Sequence, residues 1–229
     1  MCGIVGYTGF QDAYEIVING LRRLEYRGYD SAGIVLDSYN NTFDIAKTKG
    51  KVDDLVAISE NLRGKAKVGM GHTRWATHGV PSDRNSHPHL SNNGKIALVH
   101  NGIIENYDTI KTMLVEKGFT FQSETDTEVL VNLIQYFMDI NPDIDFPTAV
   151  RNALNEVYGA YAITVMHDDF PGLLVVGRLG SPLAIGLGDN EYFIASDASP
   201  FVEFTKEAIY LEEGHMATIS LQDGVDIRK

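Results

Sequence analysis

A lone cysteine at the second position is the residue best suited to covalent chemistry in this sequence. If Met1 is removed, Cys2 carries a thiol and a free α-amine, and an amine of pKa roughly 7.7–8.0 is partly neutral near pH 7. Such an amine can take the thiol proton, as it does in enzymes with an N-terminal threonine nucleophile. The alternative is an inert residue near a chain end. An apolar run at 3–8 favours the first interpretation, because a buried strand there would hold the terminus in place.

A second group of candidate residues follows a predicted strand at 67–72. Arg74 could clamp a carboxylate with two parallel hydrogen bonds. Trp75, the only tryptophan of the chain, could close over a small ligand and exclude water. Thr77 and His78 add short-range hydrogen-bonding groups. The alternative is a surface loop in which these side chains are incidental.

Asn101 and Gly102 follow the predicted strand at 96–99. An asparagine amide beside a glycine N–H can form an oxyanion hole. The same dipeptide is also a common hairpin turn, so both interpretations stay open. Asp126 lies at the start of a predicted helix, where it could bind a substrate ammonium group or simply complement the helix dipole.

The sequence gives no support for a metal or a nucleotide cofactor. The spacing of His72, His78, His87 and His89 matches no zinc pattern. The glycine-rich segment at 177–188 lacks a phosphate-loop or dinucleotide motif. We therefore expect neither a metal nor a cofactor.

The composition narrows the class of protein further. The 229 residues carry a formal net charge of −12, which argues against nucleic acid and anionic membranes as partners. One cysteine cannot form an internal disulfide, so a reducing cytoplasm is expected. No secretory signal is visible, and no apolar run approaches the length of about 18 residues expected of a membrane span.

Hydrophobic periodicity predicts one α+β domain over 1–229, with helices grouped between two sets of strands that form antiparallel sheets. A turn is expected at 39–41, and 73–94 is too polar to be regular. The predicted helices are 12–24, 52–62, 106–117, 126–139 and 146–156. Besides those above, the predicted strands are 32–36, 42–47, 159–166, 172–177, 182–187, 191–195, 207–211, 215–220 and 224–228.

Seven ordered segments give the chain a specific resemblance to the class II glutamine amidotransferases. They are MCGIVG at 1–6, LEYRGYDSAG at 24–33, HTRWATHG at 72–79, HNGIIEN at 100–106, SETDTE at 123–128, RLGSPL at 178–183 and ASD at 195–197. Within that class, the residues at 26–30 and 74–79 resemble those of the glucosamine-6-phosphate synthase family.

The resemblance implies an N-terminal nucleophile (Ntn) hydrolase fold, with two antiparallel sheets between two helical layers (αββα). It also implies that the Cys2 thiolate attacks the side-chain amide of L-glutamine, releasing ammonia and then L-glutamate. Asn101 and the Gly102 N–H would hold the oxyanion.

The resemblance further implies a set of substrate-binding positions. Arg74 would bind the α-carboxylate of glutamine, supported by Thr77 and His78, and Asp126 would bind the α-ammonium group. Trp75 would belong to a loop that closes over the site. The remaining expected positions are Arg27 and Gly28 beside the nucleophile and His87 near the pocket.

Full enzymes of that family continue into a sugar-isomerase domain, which uses the ammonia to convert fructose 6-phosphate to glucosamine 6-phosphate. This chain stops at Lys229 without such a domain, so a fragment of a longer enzyme, homodimeric when full-length, is expected. Two alternatives stay open. One is the glutaminase domain of a phosphoribosyl-type amidotransferase, and the other is a non-catalytic glutamine-binding module that retains Met1.

Overall fold

The structure is a computed structural model that describes residues 2–38, 40, 42–76 and 79–229. Within these residues, antiparallel strands form two sheets and α-helices cover them. The strands are β1 (Gly3–Thr8), β2 (Ser31–Asp37), β3 (Phe43–Lys49), β4 (Val68–Arg74), β5 (His89–Leu90), β6 (Ile96–Ile104), β7 (Gly159–His167), β8 (Leu174–Leu179), β9 (Ala184–Gly188), β10 (Glu191–Ala195), β11 (Ala208–Tyr210), β12 (His215–Ser220) and β13 (Gly224–Arg228). The helices are α1 (Ala13–Leu24), α2 (Val52–Ser59), α3 (Tyr107–Glu116), α4 (Asp126–Ile140) and α5 (Phe146–Glu156).

The two sheets have different strand orders. The seven-stranded sheet runs β11-β9-β10-β1-β4-β2-β3, and the six-stranded sheet runs β13-β12-β8-β7-β6-β5. β1 is therefore a central strand, paired with β10 on one side and β4 on the other. Cys2, directly before β1, is therefore held at the end of a central strand.

Three apolar clusters show that the layers stack as αββα. One lies between α1, α2 and the seven-stranded sheet, and a second between α3–α5 and the six-stranded sheet. The third lies between the two sheets. β1 contributes to two of them, since Val5 and Tyr7 face the helices and Ile4 faces the other sheet. The predicted α+β fold with two antiparallel sheets between helical layers is confirmed.

Most predicted elements are present, with differences that matter for function. β6 extends to Ile104, so Asn101 and Gly102 lie within a strand and the hairpin-turn alternative is wrong. The polar stretch at 73–94 contains the short strand β5, which pairs with β6. The predicted helix at 52–62 ends at Ser59 and continues as a 3-10 turn. Tyr39 and Asn41, in the predicted turn, lie outside the described residues.

The start of α4 fits a capping motif in part. The Thr125 hydroxyl accepts from the Glu128 N–H at 3.3 Å, as an N-cap does. The Glu128 carboxylate accepts instead from the N–H groups of Gln122 and Ser123, at 2.8 and 2.6 Å. These bonds fix the segment before α4 and with it the position of Asp126. In the described residues, no helix is long and apolar enough to cross a membrane.

Candidate active site

The Cys2 side chain lies against the end of β4. Its sulfur accepts from the Trp75 N–H at 3.1 Å and lies 3.5 Å from the Trp75 carbonyl oxygen, to which the thiol can donate. Burial raises the pKa of the thiol, while the Trp75 N–H and the guanidinium groups of Arg74 and Arg27 act in the opposite direction. Because the balance is a raised pKa, the thiol needs a base to become a nucleophile at neutral pH.

Arg27 fixes the main chain of Cys2. Its Nε donates to the Cys2 carbonyl at 3.1 Å, and its terminal nitrogen pairs with Asp197 at 3.1 Å. Tyr26 also donates to Asp197, at 2.6 Å. The structure therefore places Arg27 beside the nucleophile, where the sequence predicted it.

Asn101 reaches Cys2 from the neighbouring sheet. Its Nδ2 donates to the Cys2 carbonyl at 3.1 Å and to the Ser196 hydroxyl at 3.0 Å. Ser196 also accepts from the Ile4 N–H at 2.7 Å, so one hydroxyl ties the nucleophile strand to the asparagine. The Oδ1 of Asn101 lies 2.9 Å from His72 Nε2.

Gly102 occupies a place that excludes a side chain. Its φ is +130°, a conformation that L residues rarely adopt. A Cβ there would lie 2.0 Å from the carbonyl oxygen of Ala160 on β7. The glycine thus permits close contact between β6 and β7, and it lines the same cavities as Cys2.

One small cavity of about 260 Å³ of empty space brings several predicted residues together. Its lining includes Cys2, Arg74, Trp75, Gly102 and Asp126. A thiol, a cation, an anion and a candidate oxyanion donor therefore surround one space. The other lining residues are His87, His100, Thr125 and Thr127.

The two charged residues of this cavity are held by the main chain. Arg74 is 3% exposed and donates to the Gly79 carbonyl at 3.2 Å. Asp126 is 5% exposed and accepts from the Ile104 N–H at 2.8 Å. Burial lowers the pKa of Arg74, and the nearby Cys2 and Asp126 oppose that shift. Two opposite, fixed charges in one cavity suit a zwitterionic ligand.

The segment after β4 is anchored by Asp30. Its carboxylate accepts from the Ala76 N–H at 2.8 Å, and its own N–H donates to the Arg74 carbonyl at 3.0 Å. Gly28 makes close contact with the same segment, since a Cβ there would lie 2.9 Å from the Arg74 carbonyl carbon. Gly28 therefore allows Arg74 and Trp75 to approach. Trp75 remains 47% exposed, and its ring packs edge-on against Tyr29.

His87 forms part of the cavity wall and lies among buried polar groups. Its ring stacks on His72 with centroids 4.1 Å apart, and its Nδ1 accepts from the His100 N–H at 3.3 Å. Burial lowers the pKa of His87 well below the usual histidine value, so the ring is neutral. The sequence placed His87 near the pocket, and the structure shows it lining the cavity wall.

Thr77 and His78 lie outside the described residues, so their predicted role stays a prediction. His72 and Ser196, for which no role was predicted from the sequence, both contact the Asn101 side chain. Both belong to segments that carry the resemblance, 72–79 and 195–197. Their place in these segments was the one sequence feature that could have marked the two residues as functional. The pairing of the strands is needed to show that their side chains meet Asn101.

A second, larger cavity of about 700 Å³ of empty space also reaches Cys2. It shares Trp75 and Gly102 with the first and is otherwise lined by Arg27, Asn101, Ile103, Ser181 and Pro182. The nucleophile therefore lies between a charged cavity and a more apolar one.

A glutamine amidotransferase domain profile matches residues 59–222. The chain belongs to this family. Its curated relatives include the glutamine–fructose-6-phosphate aminotransferases (isomerizing) of Bacteroides thetaiotaomicron, 53% identical over 220 residues, and Chlorobaculum tepidum, 51% identical over 223 residues. In each case the match covers 96% of this chain and 36% of the relative. The domain thus spans about a third of the length of these relatives.

Solved structures agree on the fold of this glutamine amidotransferase domain. The glutamine phosphoribosylpyrophosphate amidotransferase of Bacillus subtilis, complexed with ADP and GMP, matches with a TM-score of 0.83 and 30% identity. The allosteric regulatory enzyme of purine biosynthesis matches with a TM-score of 0.85 and 31% identity. Each match covers 100% of this chain and 49% of the solved one. The fold is that of the Ntn amidotransferases.

Proposed function

We propose that this domain hydrolyses L-glutamine to L-glutamate and ammonia through a γ-glutamyl thioester on Cys2. The observation that carries the proposal is the shared cavity, in which the Cys2 thiol faces Arg74, Asp126 and the Gly102 main chain. Each feature of that cavity corresponds to a part of glutamine or of its reaction.

The charges match the two ionised groups of free glutamine. Arg74 binds the α-carboxylate, and Asp126 binds the α-ammonium group. Both side chains are buried, so an unpaired charge on either would be costly. A ligand that lacks one of the two groups loses the corresponding ion pair with the domain and binds poorly.

The first step needs a base, because burial raises the pKa of the Cys2 thiol. Once Met1 is removed, the neutral α-amine of Cys2 takes the thiol proton. The sulfur then attacks the side-chain carbonyl carbon of glutamine, and the electron pair of the C=O bond moves to oxygen.

The developing oxyanion is stabilised by Asn101 Nδ2 and the Gly102 N–H. Both Nδ2 hydrogens now donate, one to Cys2 and one to Ser196. Asn101 therefore redirects or shares the bond to the Cys2 carbonyl when the oxyanion forms. Removing one such donor costs about 2.7–4 kcal/mol in other enzymes.

The tetrahedral adduct collapses by breaking the bond to nitrogen. The ammonium form of the Cys2 amine returns its proton to the departing nitrogen, and ammonia leaves. A water molecule then attacks the thioester carbon, and the sulfur departs as the thiol when it regains a proton. The products are glutamate, ammonia and the unchanged chain.

We infer the acceptor from the relatives, whose names include fructose 6-phosphate. In the full-length protein, a C-terminal sugar-isomerase domain would use the ammonia to form glucosamine 6-phosphate, in a cytoplasmic homodimer. Higher sequence identity to these enzymes than to the phosphoribosyl amidotransferases supports this acceptor. The gene sequence that follows Lys229 tests it: an isomerase domain supports the proposal, and a phosphoribosyltransferase domain contradicts it.

The glutaminase proposal is tested by measuring glutamate release from glutamine with the 229-residue chain and its Cys2→Ala variant. Intact mass first establishes that Met1 is absent. We expect release by the unsubstituted chain and none above background by the variant. Equal rates in two folded proteins would contradict the proposal, and so would inactivity of a chain that lacks Met1. Full activity with Met1 retained would rule out the amine as the base.

A further inference from the structure

We propose that His72 is a positioning residue for the oxyanion hole, which it orders by donating a hydrogen bond to Asn101 Oδ1. This rests on the proposed glutaminase function. His72 lies on β4 in register with Ile4 of β1, and it is fully buried. The Nε2 of His72 lies 2.9 Å from the Oδ1 of Asn101. The other end of the same amide, Nδ2, donates to the Cys2 carbonyl.

The contacts of the His72 ring define its tautomer. Nε2 also lies 3.0 Å from the His100 carbonyl oxygen, which can only accept. Nε2 must therefore carry the hydrogen and share it between two acceptors. Nδ1 is buried and, among the described residues, has no hydrogen-bond partner. A bare lone pair there is less costly than a buried N–H without an acceptor.

The charge state of His72 agrees with this tautomer. Burial lowers its pKa to about 3, and this outweighs the hydrogen bonds to Asn101 and to the His100 carbonyl, which act in the opposite direction. The ring of His87 stacks on it with an interplanar angle of 13°, which fixes the plane of the donor. His72 is thus a neutral donor near pH 7.

The bond to His72 determines which way the Asn101 amide points. With Oδ1 facing His72, Nδ2 meets two acceptors, the Cys2 carbonyl and the Ser196 hydroxyl. If the amide flipped, its oxygen would face the Cys2 carbonyl and its NH₂ group would face the N–H of His72. The oxyanion donor would then point away from the substrate. His72 therefore acts on the reaction through Asn101 and touches no reacting atom.

A double-mutant cycle tests this relationship through kcat and KM for glutamine. Truncating Asn101 to alanine should lower kcat by about 100- to 1,000-fold, the loss typical of an oxyanion donor. His72→Leu should lower kcat by roughly 10- to 100-fold, a part of that loss, with KM little changed. In the Asn101→Ala background, His72→Leu should change kcat by less than about twofold, because its effect passes through the missing amide.

A conservative variant separates positioning from packing. The amide nitrogen of His72→Gln can replace Nε2 as a donor, and we expect it to restore most of the kcat that His72→Leu loses. His167→Leu removes another buried histidine, one outside the cavity, and should lower stability with no change in kcat. The rate of Cys2 alkylation by iodoacetamide, which needs no oxyanion hole, should be the same in the His72 variants and the parent.

Three results would overturn the inference. The first is an equal loss of kcat from His72→Leu in the parent chain and in the Asn101→Ala background. The second is a kcat for His72→Gln no higher than that of His72→Leu. The third is a kcat equal to that of the parent in a folded His72→Leu chain. If instead the unsubstituted chain releases no glutamate, the glutaminase proposal itself fails. Thermal unfolding of each variant shows that the compared proteins are folded, and His72→Gln keeps the test informative if His72→Leu does not fold.

Discussion

The main-chain N–H of Trp75 donates to the Cys2 sulfur at 3.1 Å, although the two residues are 73 positions apart. The nucleophile is thus held by the residue that follows Arg74, the last residue of β4 and the one we assign to the substrate carboxylate. This arrangement follows from the central place of β1, whose register sets Gly3 opposite Thr73. Cys2 and Arg74 are therefore held next to each other by the pairing of β1 with β4.

Blocking the amine of Cys2 should abolish activity while the fold persists. We expect a chain with an uncleaved N-terminal extension before Cys2 to release no glutamate above background, because an amide nitrogen cannot accept the thiol proton. The measurement is glutamate release before and after a protease removes the extension up to Cys2. Recovery on cleavage is expected, whereas full activity of the uncleaved chain would show that another base acts.

Neutralising Asp126 should weaken glutamine binding. Asn at this position can still accept from the Ile104 N–H, so the fold is kept while the anion is lost. Loss of one member of a buried charge pair costs about 2 kcal/mol or more, which corresponds to a KM roughly 30-fold higher. Asp143→Asn removes an exposed carboxylate from the same chain and should leave KM unchanged. Similar KM values for the two variants would contradict the assignment.

Adding a methyl group at Gly102 should destabilise the fold. The new Cβ would meet the Ala160 carbonyl at 2.0 Å and would also occupy a backbone conformation that alanine avoids. We expect Gly102→Ala to lower the free energy of unfolding by at least about 2 kcal/mol. Gly118→Ala also has a positive φ but open space around the new atom, so its cost should be about 1 kcal/mol. Urea denaturation measures the free energy of unfolding of both variants. An equal decrease in the two would show that Gly102 makes no close contact with Ala160.

The buried histidines should make stability fall in mild acid. Burial lowers the pKa of His72 to about 3 and that of His167 to about 4, against 6.5 in an unfolded chain. Between pH 6.5 and 4 the unfolded chain binds protons that the native protein excludes. This part of the stability is complete above pH 6.5 and decreases as the pH falls, by up to about 1.4 kcal/mol per pH unit for each histidine.

Urea denaturation at several pH values between 7.5 and 5 measures this dependence. His167→Asn retains an acceptor for the Asp169 N–H but does not titrate. The free energy of unfolding of this variant should therefore fall less steeply as the pH is lowered. The slope should be smaller than that of the parent by up to about 1.4 kcal/mol per pH unit, the contribution of one histidine. A slope identical to that of the parent chain would contradict the assignment of His167 as a neutral buried ring.

The layer architecture was predictable because it follows from local patterns. The apolar run of β1 and the helical periods in α1 and α4 need only neighbouring residues to be recognised. The candidate residues Cys2, Arg74, Asn101 and Asp126 could likewise be named from their chemistry and segments. The structure brings these residues to one place.

What the sequence could not predict depends on pairing between distant strands. Whether Asn101–Gly102 forms a turn or continues β6 is settled by the partner strand β7, which no local pattern specifies. The bonds of His72 and Ser196 to Asn101 join residues 29 and 95 positions apart. Such contacts become visible only when the sheet orders are known.

The central claim is that glutamine passes through a thioester on Cys2, and rapid acid quenching followed by intact-mass measurement tests it most directly. During turnover we expect a population of chains that lack Met1 and carry one γ-glutamyl group, which peptide mapping places on Cys2. The adduct should be absent from Cys2→Ala. A γ-glutamyl group mapped to another residue, or continued turnover by Cys2→Ala, would contradict the account.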